Sequence, residues 1–339
     1  MKMKKIDDAF AKIDGAWAMV ICAFGWSLAG VFMKYESINS FAMAGFRSVV
    51  AFITIAAMTR HCPRFIIKTN DGTVDKKCTL YLWLAALNYA ATMILFCLCN
   101  KLTYSANAVL LQYTNPAWII LLGPFLLGEK NTRIDYLSII GVIVGMLLFF
   151  ADTIFGSLSG SSTNTATSAV VNPNTITLGN ILALVSGVTF GLTTIFQRKL
   201  QLLSSAAETE ITTDSSPSKS NSNTAGDAFM IAQIITAVFG FIFVFTTDNG
   251  IQDKKSLLFL FLLGVVQMGI PNVAYTIGIK KVRALSASLI TMLEPLMNPV
   301  WVFLFVHEIP SVFSIIGGVI ILGCILMREI LNKRLSTQI

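Results

Sequence analysis

Two charged side chains stand inside otherwise apolar runs of this chain. Glu294 lies about ten residues into the run 284–306, and Arg47 about seven into the run 40–59. At about 1.5 Å of helical rise per residue, Glu294 sits roughly 15 Å in, near the middle of a hydrocarbon layer about 30 Å thick. A charge at that depth costs on the order of 2.5 to 3.5 kcal/mol, so such residues face a pathway or a partner. Glu294 can contact a substrate amine or accept a proton; protonated, or bonded to neighbouring helices, it would instead hold the chain beside Pro295. Arg47 can clamp a carboxylate with two parallel N–H groups, or snorkel to an interface or bond helix-end carbonyls.

Uncharged polar residues at similar depth supply the rest of a site: Ser27, Asn88, Tyr89, Gln112, Tyr113, Asn115, Gln197, Gln233, Gln267, Asn272, Tyr275 and Asn298. Taken singly, each reads as an interhelical hydrogen bond worth about 0.6 to 2 kcal/mol. Four occupy matched places in an internal repeat, Asn88 with Gln267 and Asn115 with Glu294, each pair 179 residues apart. The candidate substrate-binding set is Trp26, Arg47, Asn88, Gln112, Asn115, Gln197, Gln267, Tyr275, Glu294 and Asn298. Glu129 and Glu308 end their runs and read as structural.

The elements that position these residues are written twice. Residues 105–129 recur as 284–308: Ala108 and Ala287, Leu110 and Leu289, Pro116 and Pro295, and Glu129 and Glu308 all stand 179 apart. The segment from Trp26 to Lys34 recurs from Phe190 to Arg198 at an offset of 164, and Ser138 to Gly141 recurs from Ser314 to Gly317 at 176. Each proline removes a backbone donor and bends its helix, and in a bilayer loosened backbone is tolerated where it packs on protein or lines a cavity. Pro116 and Pro295 are therefore the expected hinges.

With 55% hydrophobic and 13% charged residues among 339, and a mean hydropathy of +0.71, the chain is no soluble domain. Apolar runs at about 15–33, 40–59, 79–99, 104–127, 134–152, 178–197, 228–247, 256–279, 284–306 and 311–330 predict ten transmembrane helices in an all-α integral membrane fold. With the N-terminus inside, Lys and Arg divide 20 to 4 in favour of the inner segments, which include Arg328. That bias predicts both termini in the cytoplasm. Five spans per copy is odd, so the second copy enters from the opposite side, as an inverted repeat. The expected organisation is a first five-helix repeat over 1–155, a polar disordered loop over 156–177, a second repeat over 178–332 with a disordered loop at 201–227, and a cytoplasmic tail at 333–339. The cysteines, mostly inside apolar runs, read as small buried residues. His61 and His307 stand alone near loops, so no metal site is expected.

These residues resemble the drug/metabolite transporter superfamily, EamA-type branch. The resemblance rests on Trp26 to Lys34 and Phe190 to Arg198, on the small-residue entry to the fourth helix of each half, and on Pro116 with Gly128-Glu129 and Pro295 with His307-Glu308. It covers essentially all the apolar runs and neither polar loop. The first half departs from the pattern at Asn115, where the second half has Glu294. The resemblance implies a ten-helix bundle that carries small organic solutes by alternating access, with a central site between the two halves.

One acid and one base near mid-membrane suit amino acids or similar small polar metabolites. A nucleotide-sugar or phosphorylated-metabolite antiporter of the same superfamily is the alternative; it would be expected to need more buried cations than Arg47, although Lys280 and Lys281 keep it open. A channel or scaffold lacks rings of like charge. An intramembrane enzyme lacks HExxH, GxSxG and a second mid-membrane carboxylate, so no catalytic residue, cofactor or metal is expected. The expected partners are a small-molecule substrate and the lipid bilayer, not nucleic acid, with a homodimer left open, and the expected location is the plasma membrane.

Overall fold

In this computed structural model the described residues are 13–28, 40–69, 72–103, 105–151, 173–209, 224–246, 254–306 and 312–336. They are almost entirely helical: α1 Gly15–Ser27, α2 Ser40–Thr59, α3 Lys76–Leu102, α4 Ser105–Gln112, α5 Asn115–Leu127, α6 Arg133–Phe149, α7 Pro173–Thr209, α8 Thr224–Thr246, α9 Lys254–Leu262, α10 Ile270–Lys281, α11 Ala284–Thr291, α12 Leu293–Val306 and α13 Val312–Ser336. A π-helical segment, Leu263–Gly269, joins α9 to α10. An isolated bridge pairs Lys68 with Val74. Among the described residues seven helices are long and apolar enough to cross a membrane. Three further expected spans, 15–33, 134–152 and 284–306, carry shorter helices.

Local chemistry sets the helix ends. Asp14 accepts a hydrogen bond from Ala16 N at the start of α1 (2.8 Å). Asp75 accepts one from Cys78 N at the start of α3 (3.0 Å), and that bond holds its carboxyl below the usual range. Thr132 and Asp135 close a reciprocal capping box on α6. Gly128 ends α5 with φ at 75°, a conformation without penalty in a residue that lacks a Cβ.

Both prolines expected to bend the chain do so at the same register. The first helix breaks after Gln112 and restarts at Asn115; the second breaks after Thr291 and restarts at Leu293. Polar composition misled at the edges of the two expected loops. Helix begins at Pro173, runs on through Thr209 and resumes at Thr224; most of 156–177 and the centre of 201–227 lie outside the described residues.

The chain divides into two compact units, and neither is a sequence half. One comprises Met1–Ala91 and Leu192–Glu294, the other Thr92–Gly191 and Pro295–Ile339. In the first, α8 packs on α2 where Gly45 and Gly240 bring the backbones together, and α10 lies along α1. In the second, α13 packs on α6, with Gly145 and Gly317 at the crossing.

The repeat reappears as contacts. Gly15 leaves no room for a side chain against Lys281 and Val282; its counterpart Gly179 leaves none against Leu102 and Thr103, the counterparts of those two residues. Met19 against Gly278 corresponds to Ala183 in one cluster with Cys99. Gly25 against Pro271 corresponds to the hydrogen bond of Thr189 with Thr92 (2.8 Å). Three contacts of α1 with α10 in the first unit thus have counterparts between α7 and α3 in the second.

Candidate functional site

A buried layer of aromatic rings and one amide fills the middle of the first unit. Tyr89 comes from the centre of α3, Trp26 from the end of α1, Phe229 from α8, Thr194 from α7, Met268 from the π segment, and Asn272 and Tyr275 from α10. Asn272 is fully buried, and its Oδ1 accepts hydrogen bonds from Trp26 Nε1 (3.3 Å) and the Tyr89 hydroxyl (3.3 Å). An indole N–H can only donate, which fixes the oxygen of the Asn272 amide on that side. Among the described residues the Asn272 Nδ2 on the other side has no acceptor.

The rings hold this amide in place. Trp26 stacks on Tyr275 with centroids 5.8 Å apart, and Phe229 stands edge-on to both Tyr89 (4.7 Å) and Tyr275 (5.3 Å). The Tyr275 hydroxyl donates to Thr194 Oγ1 at 3.0 Å. The Tyr89 hydroxyl also lies 3.8 Å from Met268 Sδ. Tyr89 and Met268 stand 179 residues apart, the same offset that separates Pro116 from Pro295.

Charge lies within reach of this layer. Arg47 and Glu294 are both close enough to act electrostatically on the Tyr89 hydroxyl. Arg47 is buried, and Glu294 is half-buried at the first turn of α12. The π segment packs directly on α2, where Gly264 meets Val50 and Gly269 meets Thr54. Such segments interrupt the α-helical ladder and often mark functional sites.

The structure places the other expected residues as follows. Trp26 and Tyr275 are in direct contact, whereas the Asn88 side chain bonds its own helix at Leu84 O (2.8 Å). Gln267 is buried in the π segment, its Oε1 without a hydrogen-bond partner among the described residues. Gln197 Nε2 donates to Ala225 O at 3.4 Å, tying α7 to the start of α8. Gln112 and Asn115 lie in the second unit, where Gln112 Nε2 donates to Ser186 Oγ (3.2 Å) and Asn115 is fully buried. The Asn298 side chain lies outside the described residues, as do Lys34, His307 and Glu308.

Three expectations need correction. His61 is not alone: its Nε2 lies 2.6 Å from Asp227 Oδ1, and Arg64 bonds the other carboxylate oxygen at 2.8 Å. Arg328 is no loop cation. It is fully buried in α13 and pairs with Asp135 at 2.8 Å, also bonding Glu329. Cys62 is exposed, unlike the buried cysteines expected. The aromatic layer was partly visible in the sequence, since Tyr89 and Asn272 were among the deep polar residues; Thr194, Phe229 and Met268 look like ordinary span residues and gave no signal.

The model of the EamA-like transporter family matches residues 14–151 and 222–328. Among curated proteins none matches at a significant level. A solved structure, described only as the crystal structure of a protein, aligns with a TM-score of 0.69 and 14% identity over 95% of this chain and 98% of its own. At that identity the likeness concerns the fold alone.

Proposed function

The chain belongs to the EamA-like transporter family and is a multi-pass integral membrane protein, and from that premise we propose that it is a secondary carrier of small, amino-acid-like metabolites working by alternating access. In this reading ten spans form two inverted five-helix repeats with both termini in the cytoplasm of a cell-membrane protein. The substrate site is the aromatic layer of the first unit, and the breaks before Pro116 and Pro295 are the hinges.

The observation that carries the reading is the half-filled amide of Asn272. A buried donor without an acceptor costs about 1 to 3 kcal/mol, and a substrate carboxylate or carbonyl supplies the missing acceptor. Glu294 takes the substrate amine and Arg47 steadies the carboxylate, while Trp26 and Tyr275 close over the apolar part. Recurrence of the α1 with α10 contacts in α7 with α3 supports the repeat, and the touching pair Tyr89 and Met268 supports a site near its axis. A phosphate-carrying relative would need several buried cations. Arg328 is already held by Asp135 and Glu329.

The test is uptake of a labelled amino-acid pool into proteoliposomes. The reading predicts saturable uptake that falls at least tenfold in Asn272→Leu and in Glu294→Gln, with both proteins still folded. Uptake unchanged in both variants would remove the site.

A further inference from the structure

One end of the first unit gathers five basic side chains from two parts of the chain. Arg198 and Lys199 come from α7; Lys280 and Lys281 end α10, and Arg283 follows two residues later. Contacts bring Arg198, Lys280 and Lys281 to one place, and Lys199 and Arg283 lie beside them in the chain. Arg198 Nη1 donates to the carbonyls of Ile279 (2.9 Å) and Lys280 (2.7 Å), and Lys281 Nζ donates to Ile13 O (2.6 Å) at the start of α1. Lys281 is exposed and the other four are half-buried, so all five keep some contact with the surroundings of the protein. Asp14, next to Ile13 in the chain, accepts a hydrogen bond from Ala16 N.

We propose that this basic end binds the phosphate of an anionic phospholipid in the facing leaflet. α10 ends at Lys281, the last residue of an apolar span, and a lipid phosphate reaches the headgroup depth there with its acyl chains lying along the span. Neither the aromatic layer nor the carrier reading enters the argument. Each Lys or Arg beside an anionic surface strengthens binding by about fivefold, so Lys199, Lys281 and Arg283 together select an anionic headgroup strongly over a zwitterionic one. Arg198 serves chiefly as a clasp on the last carbonyls of α10.

Native mass spectrometry of the full-length protein tests this, with phosphatidylglycerol and phosphatidylcholine of the same acyl chains added in equal amounts. The expected result is retention of phosphatidylglycerol at least tenfold over phosphatidylcholine, falling toward parity in Lys199→Gln/Lys281→Gln/Arg283→Gln. Lys130→Gln/Arg133→Gln, in the second unit, keeps the preference. If the triple variant does not fold, Lys281→Gln alone should lower the ratio severalfold. An unchanged ratio in the folded variants, or an equal loss in the second-unit control, overturns the proposal. Displacement of the lipid by millimolar inorganic phosphate also overturns it, in favour of a soluble-anion site.

Discussion

The pairing of α1 with α10 in the first unit and that of α7 with α3 in the second share a framework but not a chemistry. Where the first has Trp26, Asn272 and Tyr275, the repeat offsets put Phe190, Met93 and Phe96 in the second. Close packing is kept at both places, at Gly15 and at Gly179. The hydrogen-bonding amide and its donors occur in one. The close packing recurs at both places, whereas the proposed carrier needs its binding amide once, so the other copy is free to be apolar there. The buried charge of the second unit, Asp135 with Arg328, instead fastens α6 to α13.

This contrast can be broken in order of expected effect. Asp135→Ala leaves a fully buried guanidinium with Glu329 but without its buried carboxylate and should cost about 3 to 5 kcal/mol of stability, read as thermal unfolding in detergent. Asp135→Leu/Arg328→Leu should recover most of that loss. Asn272→Met, which writes the second unit's residue into the first, should cost about 1 to 3 kcal/mol because the Trp26 and Tyr89 donors lose their acceptor; it should also abolish uptake. The reciprocal Met93→Asn should leave uptake intact.

Gly15→Ala and Gly179→Ala probe the shared framework, and both should destabilise, each by about 1 to 3 kcal/mol through overpacking. A marked inequality between them would mean that the two pairings are not equivalent. The smallest effect concerns acid. Because the Cys78 N–H lowers the Asp75 pKa in the folded state, its contribution is fully present above the unfolded value and is lost as pH falls through the lowered folded value. Asp75→Asn should remove that part of the acid limb of the stability curve.

Much of this arrangement was legible in the chain. Apolar runs announce spans because hydrocarbon admits little else, and a shared offset such as Pro116 to Pro295 survives in the text. The breaks at 113–114 and at 292 followed from a missing backbone donor. Pairing across the repeat was not legible: nothing in the sequence says that α1 packs on a helix from the other half. For the same reason Asp227 with His61 and Asp135 with Arg328 could not be matched, since each pair lies more than 160 residues apart. Asn272 was visible as one deep polar residue among many, and only its two donors set it apart. The π segment left no sequence signature.

Cys22 offers the most direct measurement of the central claim, being fully buried on α1 one turn before Trp26. With the other cysteines replaced, its reaction with a small thiol reagent is timed with and without a transported substrate. The account predicts that substrate slows labelling severalfold in the Cys22-only protein and has no effect once Asn272 is leucine. Labelling that ignores substrate, together with full uptake in Asn272→Leu, would contradict it.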